Sequence, residues 1–117
     1  MKKVLITGMA GLVGSVIQKH LTKDFLLSSL DLVDIPNIKS FKEDITNLDS
    51  IKHVFNNQDA VIHLAADPNG GATWDSILPN NIIGTYNVFE ASRLAGIKSI
   101  ILASSNHVVG FTPVKDK

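Results

Sequence analysis

Three glycines near the start of the chain have a spacing that is typical of a phosphate-binding turn. Gly8, Gly11 and Gly14 form a GxxGxxG pattern within Thr7–Gly14. We expect Gly8 to allow a tight turn, Gly11 to let the backbone approach a pyrophosphate, and Gly14 to let a helix pack closely on a strand. Free N–H groups at the N-terminus of that helix would bind the phosphates, because the helix dipole favours an anion there. The other predicted cofactor contacts in this loop are Ala10, Leu12 and Val13.

A dinucleotide site of this kind also needs an acidic residue at the end of the second strand, about 20 residues further on. Asp31 directly follows the second predicted strand, Leu26–Leu30, and lies 23 residues after Gly8. Asp34 is a second candidate, in the loop that follows. The Asp31 carboxylate would bind the ribose hydroxyls and repel a 2′-phosphate, whereas Asp34 is interpreted rather as a solvated turn residue. Since no Arg follows immediately, the sequence favours NAD over NADP.

The elements that must position these residues alternate between short apolar runs and helical periodicity. Lys3–Thr7 is apolar on both faces and predicts a fully buried strand, as in a parallel sheet, whereas Leu26–Leu30 is a weaker and Ile38–Lys42 a short strand candidate. The predicted strands are Lys3–Thr7, Leu26–Leu30, Ile38–Lys42, Ala60–Leu64 and Ser99–Ala103. Helical spacing predicts helices after the glycines, after the N-cap candidates Asp44–Asn47, and from about Ser76 to Ala95. Pro79 is expected in the first turn of the last helix or at the end of a short preliminary turn. Gly96 is the expected residue just beyond the long helix.

Strands separated by helices predict an α/β fold, a Rossmann-type doubly wound parallel sheet with five strands in the order 3-2-1-4-5. We expect residues 1–117 to form a single NAD-binding domain, with an open tail after about Gly110. Strand 5 is as apolar as a central strand, yet it would be an edge of this sheet. The sequence therefore predicts a sheet that is truncated after strand 5.

Composition bounds the remaining possibilities. The chain has 117 residues, 11 Lys and Arg against 11 Asp and Glu, and no Cys. A net charge of zero gives no electrostatic reason to expect nucleic acid or an anionic membrane as partner. The absence of Cys excludes a disulfide scaffold and thiolate metal sites, and no metal-ligand spacing occurs. With no apolar stretch long enough to span a membrane, we expect a cytoplasmic domain without a membrane partner.

Five segments in order resemble the extended short-chain dehydrogenase/reductase superfamily, and within it the NAD-dependent epimerase/dehydratase family. Together they extend over essentially the whole chain. They are Thr7–Gly14 (TGMAGLVG), Asp44-Ile45 after strand 3, His63–Ala66 (HLAA) after strand 4, Asn81–Val88 (NIIGTYNV) in the long helix and Ala103–Ser105 (ASS) after strand 5.

A longer string is similar to the uronate dehydrogenases, which oxidise a hexuronic acid at C1 with NAD. This string is Ala103–Phe111 (ASSNHVVGF). Sugar-nucleotide epimerases usually have a Tyr before the glycine of this string, where the present chain has Val109. The resemblance implies a sugar acid or a sugar nucleotide as the small-molecule partner, and a homodimer through the long helix around residues 76–95.

Site roles follow from the resemblance position by position. Asp44 and Ile45 would flank the adenine, and Leu64, Ala65 and Ala66 would line the cofactor pocket. Asn81 would support the hydrogen-bond network of the active site. Ser105 occupies the position of the catalytic Ser or Thr. Asn106 and His107 match residues that contact the sugar acid together with Ser105. His63, by contrast, is expected to be a packed, hydrogen-bonded core histidine.

One catalytic element of the family has no counterpart in this chain. The family uses a Tyr-x-x-x-Lys pair, in which the Tyr moves the proton of the substrate hydroxyl and the Lys lowers its pKa. Tyr86 is the only tyrosine, and Glu90 stands four residues later. The sequence therefore predicts the NAD-binding portion of a longer enzyme, inactive in isolation. A sugar-nucleotide epimerase or dehydratase portion, or a non-catalytic NAD-binding module, remains an alternative.

Overall fold

Five parallel strands form one sheet in the computed structural model, which describes residues 1–108. The strand order is β3-β2-β1-β4-β5, so the predicted α/β class and order are confirmed. The strands are β1 (Lys3–Thr7), β2 (Leu26–Asp31), β3 (Lys39–Lys42), β4 (Ala60–His63) and β5 (Ser99–Leu102). The order reverses between β1 and β4, because β2 lies on one side of β1 and β4 on the other. The predicted tail after Gly110 lies outside the described residues.

Helices connect the strands. They are α1 (Leu12–Leu21), α2 (Leu48–Ile51) with a 3-10 turn at Lys52–Phe55, α3 (Trp74–Ile77), a π-helical segment (Leu78–Ile83) and α4 (Gly84–Leu94). A further 3-10 turn, Asn106–Val108, follows β5. Asn47 caps α2 by accepting a hydrogen bond from the Ser50 N–H, and Gly96 after α4 has φ +75°. The start of α2 at Asn47 and the end of α4 before Gly96 therefore agree with the N-cap and C-terminal glycine signals in the sequence.

The long helix differs from the prediction in its middle. Its residues between Trp74 and Leu94 are helical throughout, but Leu78–Ile83 has π-helical bonding, and the Gly84 N–H donates to the Pro79 carbonyl five residues back. Pro79 has no N–H to donate to the preceding turn, which removes one α-helical bond at the start of this segment. π-helical turns insert an extra residue and occur often at functional sites.

Successive side chains of β1 are buried on opposite faces of the sheet. Leu5 packs with Val61, Phe55 and Val88 on the face covered by α2 and α4. Val4 and Ile6 pack with Met9 and Ile62 on the face covered by α1. Apolar residues on both faces explain why β1 is a continuous apolar run in the sequence. The glycine loop, which follows β1, is thereby fixed to the middle of the sheet.

Some apolar residues remain at the surface. On α1, Ile17 packs against the core, whereas Leu12 and Val16 are exposed. On the edge strand β5, Ile101 and Leu102 are also exposed. Within residues 1–108, no helix is long and apolar enough to cross a membrane.

Candidate functional site

A cleft of about 820 Å³ opens at the carboxyl ends of the strands, beside the point where the strand order reverses. Open α/β sheets bind ligands at this position, because the loops after neighbouring strands diverge there. The cleft is lined by Gly8, Ala10, Gly11, Leu12, Val13, Gly14, Leu30, Asp31, Leu32, Val33, Glu43, Asp44, Ile45, Leu64, Ala65, Ala66, Asp67, Pro68 and Asn80. Every predicted cofactor residue except Asn81 is among them.

The glycine turn brings the backbone of two strand ends into contact. Gly8 has φ +72°, and a Cβ there would lie 2.6 Å from the Ala65 backbone nitrogen. A Cβ on Gly14 would lie 2.5 Å from the Met9 Cα and 2.6 Å from the Gly8 carbonyl oxygen. These distances are far inside van der Waals contact, so only glycine fits at either position. The absence of two side chains keeps this end of the cleft narrow and lined by backbone.

The N-terminus of α1 is open toward the cleft. Its N-cap residue, Gly11, supplies no side-chain cap, and the first turn contains no acidic residue. The first backbone N–H groups of a helix have no intrahelical partner, so those of Leu12 and Val13 are available to a ligand. The dipole adds partial positive charge at this end. The loop can therefore bind an anion even though, among the described residues, no Lys or Arg lines the cleft.

The Asp31 side chain connects the end of β2 to the glycine loop. Its Oδ2 accepts a hydrogen bond of 2.9 Å from the Ala10 N–H. Its Oδ1 accepts from the N–H groups of Leu32, at 2.7 Å, and Val33, at 3.4 Å. An ionised carboxylate has about four acceptor positions, so one remains for a ligand hydroxyl. Asp34, the other candidate, is exposed and does not line the cleft.

Helix α4 fixes the loop after β3. The side-chain amide of Asn87, which is buried, donates to the Ile45 carbonyl at 2.8 Å. A Cβ on Gly84 would lie 2.6 Å from the Ile45 Cδ1, so the bare backbone of the helix leaves room for that side chain. Asp44 accepts a hydrogen bond from the Thr46 N–H through its Oδ1. Asp44 and Ile45 are thus held at the cleft from two directions.

A buried polar chain connects the loop after β4 to the same helix. The His63 ring lies 2.6 Å from the Thr7 Oγ1 through its Nδ1 and 3.0 Å from the Thr85 Oγ1 through its Nε2. The Thr7 hydroxyl also accepts hydrogen bonds from the N–H groups of Leu64 and Ala65. Burial lowers the pKa of His63 from 6.5 to about 4, so the ring is neutral at pH 7. His63 is a hydrogen-bonded core histidine, as its position in the apolar strand indicates.

Asn81 stands behind the cleft wall and holds the loop that forms it. Its Oδ1 accepts from the Asp67 N–H at 2.7 Å, and its Nδ2 donates to the Asp67 carbonyl at 3.1 Å. The Ser76 hydroxyl donates to the Asp67 Oδ2 at 2.5 Å, and this bond lowers the pKa of Asp67. Asn80, next to Asn81 in the π-helical segment, lines the cleft itself.

The predicted substrate residues follow β5, and two of them, Ser105 and His107, do not line this cleft. The Ala103 N–H donates to the His63 carbonyl at 3.1 Å, which continues the pairing with β4. Beyond it, the exposed Ser105 Oγ lies 3.2 Å from the His107 Nδ1 and accepts a hydrogen bond from the His107 N–H at 3.1 Å. Asn106 begins the 3-10 turn between them. The structure therefore brings Ser105 and His107 together, in the loop that leaves the same edge of the sheet as the cleft.

Several residues of the cleft were missed by the sequence reasoning. They are Leu30, Leu32, Val33, Glu43, Asp67, Pro68 and Asn80. All except Asn80 adjoin predicted contacts at strand ends, so extending each strand-end prediction by one or two residues would have found them. Asn80 had no such signal, since its orientation depends on the π-helical turn. Within residues 1–108, no three His, Asp or Glu side chains are grouped to hold a metal ion.

Comparisons with known proteins agree with this geometry. The profile of the NAD dependent epimerase/dehydratase family matches residues 4–116. The L-arabinose 1-dehydrogenase (NAD(P)(+)) of Haloferax volcanii is 39% identical over 108 residues, which are 92% of this chain and 42% of that protein. The uronate dehydrogenase of Agrobacterium fabrum is 32% identical over 126 residues, which cover 100% of this chain and 46% of that protein.

A solved structure shows the same architecture. It is a variant of uronate dehydrogenase from Agrobacterium tumefaciens complexed with NAD, with TM-score 0.83 and 33% sequence identity. The match covers 92% of this chain and 42% of that chain. The present chain thus spans less than half the length of each of these relatives.

Proposed function

The chain belongs to the NAD dependent epimerase/dehydratase family, and from that membership we propose that it binds NAD in the cleft and serves an oxidoreductase that acts on a sugar acid. One observation carries the cofactor assignment: the uncapped α1 N-terminus and the Asp31 carboxylate lie along one cleft, at the two places where a pyrophosphate and a ribose would need them. Relatives named uronate dehydrogenase support the sugar acid.

The residues present fit NAD along the whole cleft. Backbone N–H groups of the glycine loop would bind the pyrophosphate, and the free acceptor position of Asp31 would bind an adenosine ribose hydroxyl. Apolar side chains at the ends of β2 and β3, Leu32, Val33 and Ile45, would hold the flat adenine between them. At the other end of the cleft, the small side chains of Ala65 and Ala66 would leave room for the nicotinamide half of NAD to lie against their backbone.

The charges of the cleft favour NAD over NADP. Asp31, Glu43, Asp44 and Asp67 line it, and no Lys or Arg of residues 1–108 is part of its lining. A 2′-phosphate on the adenosine ribose would meet the Asp31 carboxylate without a cation to neutralise it. NADP should therefore bind more weakly than NAD.

The substrate would lie beyond the nicotinamide half, next to the loop after β5. We assign Ser105 as the residue that orients the reacting hydroxyl, with Asn106 and His107 as further contacts to the sugar acid. The Ser105 Oγ lies 3.2 Å from the His107 Nδ1, so both side chains could hydrogen-bond to the same substrate oxygen. Bound NAD supplies the hydride acceptor for the oxidation of the sugar hydroxyl. Asn81 would keep the Asp67 loop in place while the substrate binds.

The binding half of the proposal is tested by titrating the folded chain with NAD, NADP and ADP-ribose in a calorimeter. We expect NAD and ADP-ribose to bind and NADP to bind at least about tenfold more weakly, the effect of one unfavourable charge contact. A chain that is folded by circular dichroism yet releases no heat with NAD would refute the assignment.

The reaction is tested on the protein that carries this chain, with NADH formation as the readout. Hexuronates, L-arabinose, glucose 6-phosphate and UDP-sugars form the substrate panel, since relatives are named for dehydrogenases of the first three classes and others were solved with UDP-sugars and NAD. Turnover of UDP-sugars alone would favour a sugar-nucleotide epimerase or dehydratase. NAD binding without any turnover would favour a non-catalytic module.

We also propose that two copies associate through α4. The outward side of α4 exposes Tyr86 and Phe89 in addition to the Glu90–Arg93 ion pair, and the preceding π-helical segment exposes Ile82. Tyr86 and Phe89 border a groove of about 350 Å³ that continues to Ile97 and Ile100. Exposed apolar side chains arranged along one helix are typical of a helix–helix interface.

A further inference from the structure

The polar chain Thr7, His63 and Thr85 crosses the interior of the domain from β1 through β4 to α4. Thr7 is fully buried and His63 is 2% exposed. A polar group in such a place is costly unless its hydrogen bonds are complete. Both ring nitrogens of His63 and the Thr7 hydroxyl have partners, so the chain is a completed network that binds three elements to one another.

Counting protons determines the state of the ring. The Thr7 hydroxyl has two acceptor positions and one proton. Its acceptor positions are occupied by the N–H groups of Leu64, at 3.1 Å, and Ala65, at 3.2 Å. Its proton must therefore be donated to the His63 Nδ1, which has to be unprotonated. In a neutral ring the proton is then on Nε2, from which it is donated to the Thr85 Oγ1.

We propose that His63 is a positioning residue that holds the Ala65 N–H in the cleft wall, through the Thr7 hydroxyl, by means of a neutral ring with its proton on Nε2. The inference rests on the proposed function, since it assigns a role in binding the dinucleotide. Thr85 orients the ring, the ring orients the Thr7 hydroxyl, and the hydroxyl determines where the backbone after β4 leaves the sheet.

The position of Ala65 matters because it lies against the glycine turn. The Ala65 N is only 2.6 Å from where a Gly8 Cβ would be, and both residues line the cleft. A displacement of Ala65 would therefore move one wall of the cleft relative to the phosphate-binding loop. The same helix that carries Thr85 also binds the Ile45 carbonyl through Asn87, so α4 holds both walls at once.

Nitrogen NMR on the isotopically labelled chain tests the proton count directly. The Nε2–H tautomer of His63 has a distinct pair of ring nitrogen shifts, and we expect it in the free protein. A protonated Nδ1 would overturn the inference whether or not the chain binds NAD.

Amide exchange gives a second test with an internal reference. In Thr7→Val the Ala65 N–H loses its acceptor, whereas the Leu64 N–H keeps a second one, the Thr7 carbonyl oxygen at 3.1 Å. We expect exchange at Ala65 to become faster by about tenfold and exchange at Leu64 to change less, since one hydrogen bond is removed at the former only. Thr7→Ser, which keeps the hydroxyl, should restore the protection of Ala65. An exchange rate of the Ala65 amide that is the same in Thr7→Val as in wild type would contradict the inference.

Affinity for NAD supplies the functional readout. Thr85→Val removes the hydroxyl that bonds to the His63 Nε2, at the end of the polar network away from the cleft, without changing a cleft residue. Thr85→Ser, which keeps the hydroxyl, is its matched control. We expect Thr7→Val and Thr85→Val to raise the Kd for NAD by roughly fivefold to tenfold, because each loses about one hydrogen bond. The two Ser variants should bind NAD as wild type does. If wild type binds NAD and the folded Val variants bind equally well, the inference fails and the proposed function stands. If wild type does not bind NAD, the proposed function fails and the NMR results still decide the state of His63.

Discussion

The carboxylate of Asp31 accepts a hydrogen bond of 2.9 Å from the backbone N–H of Ala10, across 21 positions of the sequence. The acidic residue at the end of β2 is therefore part of the glycine loop's own structure as well as a candidate ligand for a ribose. A single side chain thus couples the conformation of the phosphate-binding turn to the position of the ribose site.

Asp31→Asn should weaken NAD binding by about tenfold and reduce the preference for NAD over NADP. The amide loses the charge that repels a 2′-phosphate and one of the two acceptor oxygens that now bind the N–H groups of Ala10, Leu32 and Val33. Asp34→Asn, at the exposed alternative position, is the matched control. Calorimetric titration of both variants with both cofactors measures the effect, and an equal loss in Asp34→Asn would refute the assignment of Asp31.

Gly14→Ala should destabilise the fold by about 3 kcal/mol, because its methyl group would meet the Met9 Cα and the Gly8 carbonyl, which are backbone atoms without room to move. Gly70→Ala is the control, since a Cβ there meets nothing within 4 Å. Urea unfolding compares the two. Similar midpoints for both variants would show that α1 can move away from the sheet without cost.

Asn81→Leu should loosen the Asp67 loop without unfolding the domain. The variant removes two hydrogen bonds to the Asp67 backbone, a loss of about 1–3 kcal/mol confined to one segment. We expect faster proteolytic cleavage near Asp67 and weaker NAD binding. Asn56→Leu, at an exposed position elsewhere, should leave both unchanged. Unaltered cleavage in Asn81→Leu would mean that Ser76 alone holds the loop.

Stability should fall as the pH is lowered from about 6.5 to about 4, because of His63. Burial lowers the pKa of His63 in the folded state to about 4, whereas the unfolded chain titrates near 6.5. Between these values the unfolded state binds more protons, so the contribution is fully present above the upper value and is lost as the pH falls. The loss amounts to about 3 kcal/mol.

His63→Asn removes this titration. The free energy of unfolding of the variant, measured with urea at several pH values, should depend less on pH in the same interval than that of wild type. The other three of the four histidines are common to both proteins and cancel in the comparison. The Ser76 hydrogen bond lowers the pKa of Asp67 in the folded state, so the stability that Asp67 contributes is present above its ordinary pKa of 3.8 and is lost only below it, outside this interval. Parallel pH profiles would contradict the expectation.

Phe89→Asp should abolish self-association through α4. A carboxylate on the exposed apolar side of this helix would be buried without a partner in the dimer. Sedimentation velocity at several concentrations should show wild type shifting toward a dimer and the variant remaining monomeric. Val16→Asp, an exposed position on α1, is the control. A wild type that is monomeric at every concentration would refute the proposed interface.

The sequence by itself determined the sheet, its strand order and the two ends of the cofactor site. Apolar runs such as Lys3–Thr7 and the GxxGxxG pattern are local signals, because burial on two faces and a tight turn each constrain neighbouring residues directly. The position of Asp31 follows from the strand that it ends. For this reason the predicted cofactor residues of the glycine loop and the strand ends all line the cleft.

Only the tertiary structure decided which side chains hold that cleft together. Asn80 and Asn81 are neighbours of the same type, and the π-helical turn, which results from bonding around Pro79, places the first on the cleft and the second on the Asp67 backbone. The network through Thr7, His63 and Thr85 joins residues that are 56 and 22 positions apart in the sequence. Such contacts depend on how α4 packs across the sheet, and spacing along the chain carries no information about packing at that distance.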